Sequence, residues 1–158
     1  MAAQNLQYGI RTPGYEQNFS YPVGASEVFK KKGGGYVTED SSGRVETSQI
    51  ATATTILGYA LLNEDFTASS TEGGSVVTVN VDLDCIYELP INSGTYAATM
   101  RGKTCDFSIS SNMQGAALGA SSVDTLEIVD KGYTNAAGTV VSVLVKLFQK
   151  NLTRTGVV

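Results

Sequence analysis

The chain has no histidine and no tryptophan, only two cysteines and three prolines, and only 16% charged residues in 158. The absence of histidine removes Ser-His-Asp and Cys-His nucleophile systems, His-based zinc sites and the usual general base near neutral pH. Two cysteines cannot build a Cys-only zinc site, which needs four ligands. There is no excess of Lys and Arg: the net charge is −4 and the pI about 4.7, which argues against general nucleic-acid binding. No apolar run approaches the roughly 18 residues of a membrane span. The opening MAAQNLQYGIRTPGYEQ lacks the apolar region of a signal peptide, so synthesis in a cytoplasm is expected. The Asn18-Phe-Ser and Asn151-Leu-Thr sequons then carry no weight.

What is abundant is glycine (17 residues) together with Val, Thr and Ser, the composition of short strands and many turns. The run Gly74 to Leu89 sets the pattern. Val77, Val79, Val81, Leu83, Cys85, Tyr87 and Leu89 alternate with Thr78, Asn80, Asp82, Asp84, Ile86 and Glu88, as in one long strand with an oily and a polar face. Pro90 should end it, and Ile91 to Gly94 should turn. Gly35–Glu39 and Arg44–Gln49 read as a small hairpin across Asp40–Gly43. Ile50–Leu62 reads as a buried strand, and Asn63–Gly74 as an acidic loop. Thr95–Met100 fits a strand or a single helical turn. Lys103–Ile109 alternates again, Ser110–Ser122 reads as small-residue loop, and Asp124–Asp130 holds a strand. Thr139–Gln149 is apolar on both sides, which suits a central strand or one meeting another subunit. About seven to nine strands predict an all-β fold, a single small sandwich or barrel over residues 30–150, with a tail at 151–158.

Residues 1–29 differ from the rest. Tyr8, Tyr15, Phe19, Tyr21 and Phe29 follow no period among Gly9, Pro13, Gly14, Pro22 and Gly24, the pattern of an extended arm. Such an arm reaches a neighbour or straps the domain's own core. In the first case its aromatics bury large area and Arg11 adds a charge-assisted hydrogen bond.

No stretch carries a catalytic or cofactor signature. Lys30–Gly35, KKKGGG, reverses the order of a phosphate-binding loop and is followed by a strand-like segment. Cys85 and Cys105 fall on apolar strand faces and read as buried free thiols. Asp82, Asp84 and Glu88 would share one strand face, where carboxylates can bind Ca²⁺ or act as an acid/base pair. The glycine turn and distal Glu of an EF-hand loop are missing, however. Between Arg44 and Arg101 there is no Lys or Arg, so an acidic middle lies between basic flanks. A solvated face, or a patch meeting the basic flank of a neighbouring copy, is the expectation. No catalytic, cofactor or metal residue is expected, and the chain is not read as an enzyme.

Residues 30–150 resemble the head-decoration, or capsid cement, proteins of bacteriophages. The resemblance is carried by Lys32-Gly33-Gly34-Gly35-Tyr36-Val37, by Ile56-Leu57-Gly58-Tyr59-Ala60, by the Val76–Leu89 stretch ending in Glu-Leu-Pro, and by Val140–Phe148. It implies a small β-barrel or β-tulip domain, often trimeric, that sits on the major capsid protein at the virion surface and stabilises the expanded head. It also implies an N-terminal arm on the capsid or a neighbour, although the first segment here is longer than a minimal decoration domain needs. Other oligomeric virion components, such as a tail-tube, adaptor or head-fibre-base protein, share these features. A carbohydrate-binding module is disfavoured by the lack of tryptophan.

Overall fold

The computed structural model describes residues 9–12, 17–32, 35–47, 56–82 and 84–148, and the protein is all-β. In chain order the strands are β1 (Gly9–Thr12), β2 (Asn18–Pro22), β3 (Val28–Phe29), β4 (Tyr36–Glu39), β5 (Val45–Glu46), β6 (Gly58–Ala60) and β7 (Phe66–Thr67). Then follow β8 (Val76–Asn80), β9 (Ile86–Ser93), β10 (Thr104–Ser110), β11 (Met113–Ala117), β12 (Leu126–Lys131) and β13 (Ser142–Leu147). They form sandwich-like layers. In one, the pairings β9–β11–β10–β12–β13 return from β13 to β9, so the hydrogen-bonded ladder closes into a ring, with β1 added along β9. In the next, the order is β2-β8-β6-β4-β5, and β3–β7 makes a small third sheet.

The five-stranded sheet is the middle layer. Neighbouring residues of a strand face opposite sides, and here they enter different cores. Tyr36 and Tyr59 join the cluster of the ring, with Tyr87, Leu89, Phe107, Leu126, Ile128 and Val145. Val37, Ala60 and Val79 join the other cluster, with Val23, Phe29, Val45 and Val77. Phe29 and Phe66 close that second core at 5.6 Å between ring centroids. Burying such Val, Leu, Ile or Phe side chains contributes about 1.5–3 kcal/mol each.

Val77, Val79, Val81, Cys85, Tyr87 and Leu89 of the alternating run are buried as its pattern requires, yet the run is two strands in two sheets. The break is made by the polar positions themselves. Asn80 Oδ1 accepts the N–H of Asp82 at 3.0 Å, and Asp82 Oδ1 accepts that of Asp84 at 3.0 Å. These are Asx turns, in which a short side chain takes a backbone donor two residues on and competes with the ladder. Pro90 does not end β9. Ile91 N–H donates to Val141 O, so alternate residues face β13 and the Pro90 nitrogen faces the other edge. On that edge β1 pairs as far as Glu88 and β11 begins at Ile91, so the missing N–H falls in the gap.

The loop expected at 110–122 contains β11, a hairpin partner of β10 across Ser111 and Asn112, both at positive φ. Thr95–Met100 contains a short 3-10 turn at Ala98–Met100. The expected acidic loop contains β7. The Tyr36 hairpin forms as β4–β5, and β13 is central, between β12 and β9. Residues 17–29 are not a free arm. β2 pairs along β8 and β3 along β7, and Val23 and Phe29 are fully buried. The boundary at 29 therefore cuts through a core, and residues 17–29 lie against the domain's own second core. The tail at 151–158 lies outside the described residues.

Candidate interaction surfaces

The proposed contact residues scatter. Tyr8 and Tyr15 lie outside the described residues, and Arg11 falls in β1 at an irregular step between Ile10 and Thr12. Phe19 and Tyr21 lie on one face of β2, and Phe19 is 55% exposed. Asp82 is half-buried and Asp84 exposed in the β8–β9 turn. Glu88 does not share their face: it is fully buried. Its Oε1 accepts hydrogen bonds from Ser142 Oγ and, at 3.1 Å, from Tyr133 N–H, and Gly132 leaves room for it. A Cβ on Gly132 would stand 2.6 Å from that oxygen. A buried carboxylate bonded in this way is a structural tie, so Glu88 is no outer contact.

Several other carboxylates are tied as well. Asp106 accepts Ser122 N–H and Oγ at 2.9 and 2.7 Å, Val123 N–H at 2.9 Å and Asp124 N–H at 2.8 Å. Burial opposes its ionisation, but the bonds from Ser122 Oγ and the three N–H groups together outweigh it and hold the carboxyl below its ordinary 3.8. Asp40 is lowered by the Arg44 N–H, Asp65 by the Lys31 N–H, and Asp130 by the Arg101 guanidinium. A carboxyl whose pKa is lower folded than unfolded adds stability above its unfolded value and loses it as pH falls through the folded one. Asp106→Asn is expected to destabilise the protein by about 2 kcal/mol at pH 7. The gap to the parent should shrink as pH drops below 3.8, measured by urea denaturation across pH. A gap constant with pH would contradict this account.

The ring core holds a cluster of tyrosines. Tyr59 stacks on Tyr87 at 4.0 Å, and Tyr36 meets Tyr59, Tyr87 and Phe107 edge-on at 4.9, 5.2 and 5.1 Å. Asn80 Nδ2 donates to Tyr87 Oη at 3.2 Å and to Cys85 Sγ at 3.3 Å. Burial raises the Tyr36 and Tyr59 hydroxyls well above 10, so they stay neutral. Neither Cys85 nor Cys105 forms a disulfide and both are buried; burial, with Asp106 and Asp124 nearby, pushes the Cys105 thiol up to about 12. These residue types can do acid–base or nucleophilic chemistry, but here they face the interior. Among the described residues no group of three or more His, Cys, Asp or Glu is placed to hold a metal ion.

One open recess is strongly charged. Lys30, Lys31, Lys32 and Asp65 line it with Ser111 and Met113. Lys30 Nζ is 3.2 Å from Asp65 Oδ2, and the Lys31 N–H donates to Asp65 Oδ1 at 3.0 Å, so the acid is held by the lysine turn. Lys31 and Lys32 are exposed, and among the described residues no ion pair neutralises them. The recess presents two cations to solvent beside the β10–β11 turn. No family model, curated protein or solved structure matches the chain.

Two features of these surfaces escape the pattern of the sequence. Ser111 and Met113 come to the lysine turn only because β10 and β11 form a hairpin. The one available signal was Ser111-Asn112, a two-residue turn just past an alternating run. Gln114 is the other: its buried amide ties the two large sheets together, and an isolated Gln among small residues announces nothing.

Proposed function

We propose that this protein is a non-enzymatic structural component of a bacteriophage virion. It binds the outer surface of the capsid, with the major capsid protein as its partner, and stabilises the head. Under this reading it acts as a homo-oligomer, with a trimer the favoured state. The observation that carries the reading is the open recess at Lys30–Lys32, where exposed cations lie beside Ser111 and Met113. Such a surface fits an acidic, partly apolar patch on another protein. By contrast, Asp40, Asp65 and Asp130 are already held by cations of the same chain. The pattern shared with decoration proteins over residues 30–150 supports the same reading. Oligomerisation multiplies a modest contact at each site into firm attachment.

Truncation is a poor test, because deleting residues 1–29 removes β2, β3 and buried Val23 and Phe29. Charge reversal is cleaner. The double variant Lys31→Glu, Lys32→Glu leaves the Lys30–Asp65 pair in place. It is expected to fold normally and to bind undecorated heads at least tenfold more weakly, with less salt dependence, in a sedimentation assay. Unchanged binding would overturn the recess as the contact. Electron cryomicroscopy of native particles tests the wider reading: hundreds of copies over the head are expected. A few dozen at a vertex or tail would instead indicate an adaptor, fibre-base or tail-tube component.

A further inference from the structure

We propose that the outer edge of β2 is a two-fold contact between copies of this chain, centred on Phe19. β2 is the end strand of the five-stranded sheet, and among the described residues nothing pairs with its far side. Which groups face outward follows from the register. Val81 N–H donates to Gln17 O and Val23 N–H to Ser75 O, and Phe19 and Tyr21 oppose Val79 and Val77 between them. In an antiparallel ladder alternate residues face the partner strand, so Gln17, Phe19, Tyr21 and Val23 bond toward β8. The N–H and C=O groups of Asn18 and Ser20 therefore face away from it. The open stretch ends at Pro22, which has no N–H. Beyond it Val23 bridges to Val45 and Gly24 N–H donates to Val45 O.

An edge of this kind is a template for strand pairing, which proteins ordinarily block with lysines, bulges or covering segments. Asn18, Phe19 and Ser20 carry none of the first, and the pairing with β8 is unbroken from Asn18 to Pro22. A second β2 run antiparallel about Phe19 sets Asn18 opposite Ser20 of the other copy, and Ser20 opposite its Asn18. All the outward donors and acceptors of these two residues are then satisfied. Phe19 then stands opposite its own copy in a non-hydrogen-bonded pair, where the Cα atoms approach to about 4.5 Å and aromatic pairs add stability. That contact covers the large apolar side chain that the single chain leaves 55% exposed. The two-fold axis is perpendicular to the sheet, so the Val77–Val79 faces of the two copies become continuous. The contact is short, so it should be weak in solution and cooperative where copies are already held side by side. It does not depend on what the protein coats.

The test uses the purified full chain. Sedimentation over a range of concentrations should show reversible doubling of mass. Ser20→Pro removes an N–H that the β2–β8 ladder does not use, and it should abolish the doubling while circular dichroism stays native. Phe19→Cys gives a gain-of-function readout that needs no loss of folding. Its Cα separation in the pair suits a disulfide, and Cys85 and Cys105 are buried and do not compete. Under mild oxidant it should form covalent dimers at least tenfold faster than Val76→Cys, a cysteine at an exposed position elsewhere on the same two strands. Equal cross-linking rates for the two variants, or undiminished association of Ser20→Pro, would overturn the contact. So would a parent protein that never doubles in mass, leaving the edge to a strand of another protein.

Discussion

Replacing Gln114 with alanine is expected to lower the unfolding free energy by about 2–5 kcal/mol, because two buried backbone groups lose their partners at once. Gln114 Oε1 accepts the Tyr36 N–H at 2.9 Å, and Gln114 Nε2 donates to Tyr36 O at 2.6 Å. The side-chain amide thus takes the place of a strand at the edge where the ring meets the middle sheet. Both residues are about 1% exposed, so water cannot replace the lost bonds without opening the core. Tyr36 also carries the edge-on contacts to Tyr59, Tyr87 and Phe107, and its displacement would loosen all of them. Urea denaturation measures the effect. Gln114→Glu is the informative companion: it keeps an acceptor for the Tyr36 N–H but turns a carboxylate oxygen toward Tyr36 O. It should be at least as damaging at pH 7 as the alanine variant. A loss below about 1 kcal/mol for either would mean that the amide is not the tie between the layers.

The all-β class was legible because alternation and turn residues act locally. Val77, Val79, Val81, Cys85, Tyr87 and Leu89 are all buried, as their spacing required. The single long strand was not legible as two, because Asn80, Asp82 and Asp84 fit either a solvated strand face or successive Asx turns. Which of the two forms is decided by what the strands on either side pair with. Glu88 shows the same limit. Its position in the alternation pointed to solvent, but β9 lies inside a closed layer and its second face is covered by Gly132, Tyr133 and Ser142. Phe19 and Tyr21 looked like part of an arm because the register with β8 is written jointly in two stretches far apart in the chain. Contact surfaces were harder still. The lysine turn was visible as charge, but Ser111 and Met113, which shape its recess, arrive from the β10–β11 turn and the start of β11.

Gly58 shows how closely the middle sheet is drawn together, and Gly58→Ala should be among the most damaging single substitutions. A Cβ there would stand 2.2 Å from Asn80 O and 3.0 Å from Val79 Cγ1. The first of these is backbone and cannot rotate away, so β6 and β8 must part where Tyr59 faces Asn80 and Ala60 faces Val79. The expected loss is about 3 kcal/mol, at the upper end for overpacking. The damage should spread in a defined direction. Moving Asn80 breaks its bonds to Tyr87 Oη and Cys85 Sγ and loosens the Asx turn at Asp82. A thiol reagent should therefore reach Cys85 in the variant at denaturant concentrations where the parent is still protected. Gly102→Ala is the control. It has φ +76 but nothing within 4 Å of the added carbon, so only the left-handed backbone is penalised, by about 1–2 kcal/mol. If both variants lose the same stability and leave Cys85 equally protected, the close β6–β8 approach is not what Gly58 provides. If only Gly58→Ala exposes the thiol, the turn that divides the long alternating run depends on the absence of a single side chain in the neighbouring strand.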